Sequence, residues 1–246
     1  SARQVKSFEE DELEKWHLVD DAESAMKFIK GTIDRPNLFS PEMKSREAAE
    51  WRVFRIMAEL VDGFEFLTKV KNDVTVLGTK SIMPGSPYYQ AAYEVGKLLA
   101  KNKMMTVTGG GSGVMEAANK GAYENGGESV GINMAVRGFE RRNNFLTDSI
   151  RFTFPFVRKL IITAPSKAFV FFPGGYGTLH QLFELLTLVE TKKMEPLPII
   201  LYNQEFWQPL TEFIGKLYAD FKTISMNDKD LVRVVNNPAE IISYIK

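Results

Sequence analysis

Two glycine-rich turns hold the residues best placed to do chemistry. The first reads Thr108-Gly109-Gly110-Gly111-Ser112-Gly113-Val114-Met115-Glu116. Glycine takes positive φ at little cost and lets a ligand come close to the backbone. A helix starting behind such a turn directs unpaired N–H groups at an anion. The second reads Phe172-Pro173-Gly174-Gly175-Tyr176-Gly177-Thr178-Leu179. Proline fixes its entry, and Thr178 suits an N-cap or a hydroxyl donor to an oxyanion. Two such turns at one sheet edge predict a single phosphorylated ligand held between them. Arg158 and Lys159 are neighbours on one predicted helix and point about 100° apart. His180 is one of two histidines, the other being His17, and is a candidate general base near neutral pH. Glu184 sits one helical turn beyond it. Against these readings stand a tight strand–helix turn, a surface histidine and a bracing glutamate.

The elements that must position these residues alternate. Val74–Leu77, Met104–Thr108, Val130–Met134, Ile150–Phe154, Ala168–Phe172, Leu197–Tyr202 and Val232–Val235 read as strands. Helices are expected over 87–101, 114–123, 155–164, from Thr178, over 206–221 and from Pro238. Strand–helix alternation implies right-handed βαβ units and a parallel sheet covered on both faces. The fold class is α/β: a Rossmann-like, doubly wound parallel sheet over 71–246 behind an N-terminal helical extension, 1–70. Within that extension Asp21–Ile29 is amphipathic, Pro36 and Pro41 break the Gly31–Pro41 segment, and Trp51, Phe54, Ile56, Met57, Leu60, Val61, Phe64 and Leu67 form a helical stripe. That stripe is expected to pack as a cover on the following domain.

Composition narrows the chemistry. The chain has 246 residues, 31 basic and 31 acidic, and no cysteine. Disulfides, thiolate metal sites and a cysteine nucleophile are excluded. No metal or cofactor is expected. Balanced charge argues against broad nucleic-acid or anionic-membrane binding. No apolar run reaches the roughly 18 residues of a membrane span. Ser1-Ala2-Arg3-Gln4 lacks a signal-peptide core, so a soluble cytoplasmic protein is the expectation. Gly109, Gly111 and Val114 do not complete G-x-G-x-x-G, nor do Gly111, Gly113 and Glu116, which leaves a dinucleotide site weakly supported. The sequence holds no G-x-x-x-x-G-K-[ST].

Pro173-Gly174-Gly175-Tyr176-Gly177-Thr178 resembles the P-G-G-x-G-T signature of the Lonely Guy family, cytokinin riboside 5′-monophosphate phosphoribohydrolases once labelled lysine decarboxylases. Gly109–Gly111 resembles that family's first glycine loop, and Gly113–Ala122 the helix behind it. Phe139-Glu140 with Asn143-Asn144 is similar to a loop carrying a ligand-contacting glutamate. Arg158-Lys159 matches an Arg-Lys pair, which makes Arg158 the candidate bidentate phosphate cation, and Thr187 matches a later threonine. The resemblance covers roughly 50–246, with Trp51–Glu65 similar to the extension of longer bacterial members. It implies hydrolysis of the N-glycosidic bond of a nucleoside 5′-monophosphate to base and ribose 5-phosphate. Arg158, His180 and Glu184 are then the candidate catalytic residues. Candidate substrate contacts are Gly78, Thr79, Gly109, Gly110, Gly111, Gly113, Glu116, Glu140, Lys159, Gly174, Gly175, Tyr176, Gly177, Thr178, Gln181 and Thr187. A homodimer is also implied.

Two departures matter. The family motif continues x-E-E, whereas this chain reads Leu179-His180-Gln181. Glutamine does not ionise, so His180, Glu184 or another carboxylate must serve, or hydrolysis is lost. The first strand ends in Gly78-Thr79-Lys80-Ser81 where Gly-Ser-Ala-Arg or Gly-Ser-Ser is common. Thr79 keeps a hydroxyl, and Lys80 a charge without the planar fork. The sequence therefore supports a hydrolase or a nucleotide-binding protein of the same fold. An NAD-linked oxidoreductase trails both, and nothing supports a pyridoxal decarboxylase.

Overall fold

The computed structural model describes residues 18–32, 46–135, 142–164 and 166–245. Strands buried on both faces must be covered by helices on both. β1 (Asp73–Leu77), β2 (Met105–Thr108) and β5 (Ala168–Phe171) are buried along their whole length. With β3 (Ser129–Met134), β4 (Asp148–Phe152), β6 (Ile199–Tyr202) and β7 (Val232–Val235) they form one sheet of order β4-β3-β2-β1-β5-β6-β7. Every pairing is parallel, with Thr75 opposite Val107 on one side of β1 and Val76 opposite Val170 on the other. The chain winds outward from β1 to β4, returns to β5 beside β1, and winds outward again. The order thus reverses between β1 and β5, where the connecting loops diverge and leave a crevice at the strands' carboxyl ends.

The helices are α1 (Ala22–Thr32), α2 (Arg46–Leu67), α3 (Pro87–Lys101), α4 (Val114–Glu124), α5 (Pro155–Thr163), α6 (Tyr176–Glu190), α7 (Gln204–Ala219), α8 (Met226–Lys229) and α9 (Pro238–Ile245). Ser86 caps α3 by accepting from the Tyr88 N–H, with Pro87 at the first helical position, where its missing N–H costs nothing. α3 and α4 lie close because Gly96 and Gly121 face the partner backbone: a Cβ at Gly96 would overlap the Ala118 carbonyl. Val74, Val76, Val170, Phe172, Ala92, Val95 and Leu99 form the core between them and the sheet.

The expected strands and helices appear with shifted ends. β4 stops at Phe152 because Pro155 starts α5 and Phe154 becomes its N-cap. α6 starts at Tyr176 with Gly175 as N-cap, so Thr178 lies inside the first turn. Residues 33–45, most of the expected break, lie outside those described. The chain divides into two compact units between Ala58 and Glu59, within α2. From Glu59 onward the face of α2 turned to the protein differs from the expected stripe. Phe66 and Gly63 are buried while Val61 and Phe64 stay exposed. A Cβ at Gly63 would fall 2.7 Å from Ile161, so close helix contact, rather than a large apolar side chain, makes this junction. Among the described residues no helix is long and apolar enough to cross a membrane.

Candidate functional site

Three connections meet at the crevice. Thr79, just past β1, donates its N–H to Pro173 O at 3.0 Å and accepts at its carbonyl from Val114 N at 3.0 Å. One residue thereby ties the second glycine turn to the start of the helix behind the first. Gly78 is squeezed between them, since a Cβ there would lie 2.8 Å from Val114 and 2.9 Å from Phe172. Gly78 and the buried Thr79 build the floor of the crevice.

The first glycine turn opens onto a cleft of about 660 Å³. Gly109, Gly111, Glu116 and Arg158 line it, with Lys80, Ser81, Ser112, Met115, Met134, Arg142 and Asn143. Gly110 and Gly113 have φ of 69° and 71°, a left-handed conformation that favours glycine. Among the described residues the N–H groups of Gly111, Ser112 and Gly113 have no acceptor. Successive unpaired amides ahead of a helix form an anion-receiving concavity. Arg158 adds charge. Its Nε donates to Ile132 O at 2.7 Å, which fixes the guanidinium plane. Burial pulls its pKa below the usual arginine range, but a guanidinium stays charged in proteins. A Cβ at Gly109 would overlap Nη2 of Arg158. Arg158 is partly buried, and among the described residues no carboxylate pairs with it.

Glu116, in the first turn of α4, is the carboxylate of the cleft among the described residues. The Tyr89 hydroxyl donates to its Oε1 at 2.9 Å. Burial first, and that bond second, push the Tyr89 pKa well above its normal value, so Tyr89 remains a donor and orients the carboxylate.

Other candidates lie elsewhere. Gly174, Gly175, Tyr176, Gly177, Thr178 and Gln181 do not line this cleft; Thr178 and Gln181 are buried, and Thr178 packs over Gly174. His180 is exposed on α6, its Nδ1 3.8 Å from Glu184 Oε2. Thr187 bonds back to Phe183 O at 2.8 Å and lines a separate apolar hollow with Ile214 and Leu217. Lys159 is half-buried on α5, outside the lining. Glu140 lies outside the described residues. Lys80 stood out in the sequence only as a family departure, Asn143 only as part of the loop motif that resembles the family's, and Arg142 not at all; the β3–β4 connection brings Arg142 and Asn143 to the glycine turn.

The fold is that of a Rossmann-like α/β protein with a cleft at the carboxyl edge of its sheet. The family model described as "Possible lysine decarboxylase" matches residues 115–245, and the chain belongs to that family, which includes the Lonely Guy proteins. An uncharacterized protein of Archaeoglobus fulgidus is 32% identical over 129 residues, 52% of this chain and 83% of that one. The cytokinin riboside 5′-monophosphate phosphoribohydrolase of Rhodococcoides fascians is 29% identical over 135 residues, 53% and 67% of the two chains. Among solved structures, the molybdenum cofactor binding protein of Rippkaea orientalis shares the fold with a TM-score of 0.55 at 23% identity, over 71% of this chain and 95% of that one.

Proposed function

We propose that the cleft binds a nucleoside 5′-monophosphate and hydrolyses its N-glycosidic bond. Water adds to C1′ of the ribose, the base leaves with a proton, and ribose 5-phosphate remains. The observation that carries this reading is Arg158, partly buried, plane-locked by Ile132 O and lining one cleft with the first glycine turn, whose amides have no acceptor among the described residues. A phosphate monoester carries a charge near −2 at neutral pH, and Lys80 and Arg142 at the same cleft add to its attraction. Glu116 supplies the carboxylate that an oxocarbenium-like transition state needs, as stabiliser or as orienter of water.

A second reading, nucleotide binding without hydrolysis, is favoured by one observation. Gln181 replaces the family's acid and is buried, and His180 and Glu184 stay out of the cleft lining. The reading includes a homodimer; Phe156, Leu160 and Phe183, apolar and exposed on α5 and α6, support it, and light scattering tests it.

Incubation with AMP and related monophosphates, with assay of free base and ribose 5-phosphate, separates the two readings. Product from the parent protein, lost by about 100-fold or more in Glu116→Gln while AMP binding persists, supports hydrolysis with Glu116 in the reaction. Saturable AMP binding without product leaves the binder. Failure of every monophosphate to bind removes both.

A further inference from the structure

The glycine turn receives an anion only if its amides face the ligand and its carbonyls do not. A peptide carbonyl turned toward a phosphate would oppose it with its own partial negative charge. The turn does not fix this choice alone, because glycine accepts either orientation of the peptide plane. Asn143, from the connection between β3 and β4, holds two of these carbonyls. Its backbone N–H donates to Gly110 O at 2.9 Å, and its Nδ2 donates to Gly111 O at 3.0 Å. The same Nδ2 reaches Asn119 Oδ1 at 3.0 Å, and Asn143 Oδ1 accepts from Phe145 N at 3.0 Å. The side chain is buried, 7% exposed.

The hold extends to the peptide just before these two. Asn119 Oδ1 also accepts from Thr108 Oγ1 at 2.6 Å, and Thr108 Oγ1 accepts from Gly110 N at 2.9 Å. Asn119 is fixed in turn by donating to Ser129 Oγ at 2.8 Å. Gly110 is thus gripped at both its N–H and its carbonyl, and Gly111 at its carbonyl. Among the described residues the amides of Gly111, Ser112 and Gly113 are left without an acceptor.

We propose that Asn143 is a positioning residue: by fastening the carbonyls of Gly110 and Gly111 it keeps the following amides turned to the phosphate. This rests on the reading of the cleft as a phosphate site. It assigns Asn143 no contact with the reacting atoms. The side-chain bond to Gly111 O is the part a substitution removes, because the backbone bond to Gly110 survives any side chain.

The test compares a ligand that has the phosphate with one that lacks it. AMP and adenosine are titrated calorimetrically into the full chain, into Asn143→Ala and into Asn143→Asp. Aspartate keeps the acceptor for Phe145 N–H and loses the donor to Gly111 O. The expected result is a fall in AMP affinity of about tenfold in both variants, with adenosine affinity unchanged within about twofold. A merely structural residue would lower both affinities together through a lower Tm. Parallel losses, an unchanged AMP affinity, or failure of both variants to fold would each overturn the proposal. A parent protein that binds AMP no better than adenosine overturns the phosphate reading itself, which the parent data alone reveal.

Discussion

At the scale of single residues, Arg158 and Gly109 act as one device. The guanidinium occupies the space that a side chain at 109 would need, so the charge position depends on an absent methyl group as much as on the arginine. Arg158→Ala removes a charge-assisted contact in a partly buried site, where such contacts are worth about 2–3 kcal/mol. AMP affinity should fall roughly 30- to 150-fold, and unchanged affinity would take Arg158 out of the site. Arg158→Lys should recover little, because lysine has no Nε to hold Ile132 O and no planar fork. Gly109→Ala is the sharper comparison. It keeps every charge and displaces the guanidinium, and it also crowds Met115 Sδ, 2.8 Å from the added carbon. A loss of AMP affinity of about tenfold or more, with a circular-dichroism spectrum like the parent's, is the expected result. Wild-type affinity in Gly109→Ala would mean that the placement of Arg158 does not matter for binding.

At the scale of elements, the arginine is only as well placed as α5. The N-cap of α5 is Phe154, whose side chain has no acceptor to offer the first turn. The cap comes instead from α2: Glu59 Oε1 accepts from Thr153 N at 2.7 Å and Oε2 from Phe154 N at 3.1 Å. A carboxylate at a helix N-terminus satisfies open donors and complements the helix dipole. Glu59→Ala should cost about 1–2 kcal/mol in stability and weaken AMP binding, and Glu59→Gln should restore part of both by keeping one acceptor oxygen. Chemical denaturation and AMP titration of the two variants check this; an alanine variant as stable as the parent would deny Glu59 its capping role. This junction was hidden in the sequence. The stripe from Trp51 to Leu67 pointed to a large apolar face, whereas from Glu59 onward α2 docks through Gly63, Phe66 and a carboxylate. The parallel sheet was readable because its central strands are continuously apolar and each is followed by a glycine or helix signal. That Gly109 and Gly111 lie at one turn ahead of a helix was readable from local turn chemistry, whereas Arg158, which lines the same cleft, was singled out only by its resemblance to a family Arg-Lys pair. The grip of Asn143 on Gly111 and of Glu59 on the start of α5 was not readable, since these partners lie 32 and 94 to 95 residues away in the chain and only the crossovers bring them together.

At the scale of the whole molecule, the sheet has two unlike ends. Among the described residues its carboxyl end gathers cations and amides without acceptors, while its amino end buries a carboxyl group that no cation neutralises by contact. Asp73 at the start of β1 is 3% exposed. Ser166 Oγ donates to its Oδ2, and Thr75 Oγ1 lies 2.6 Å from the same Ser166 hydroxyl. Burial raises the Asp73 pKa; the Ser166 bond, and then the positive charge of Lys167, offset this only in part. The folded chain therefore holds this proton more tightly than the unfolded chain does. The stability that Asp73 contributes is complete below its unfolded pKa, and it is lost as pH rises from there through the raised folded value. Above that range the native state carries the cost of a buried charge. Asp73→Asn keeps an acceptor for Ser166 and cannot ionise. At acid pH the variant should lie within about 1 kcal/mol of the parent, and it should gain on the parent steadily as the pH is raised to 7. Urea unfolding of both proteins at a series of pH values measures the difference directly. A difference that stays flat with pH would mean that Asp73 titrates in the folded sheet as it does in water, and that the amino end of the sheet does not carry this charge as a cost.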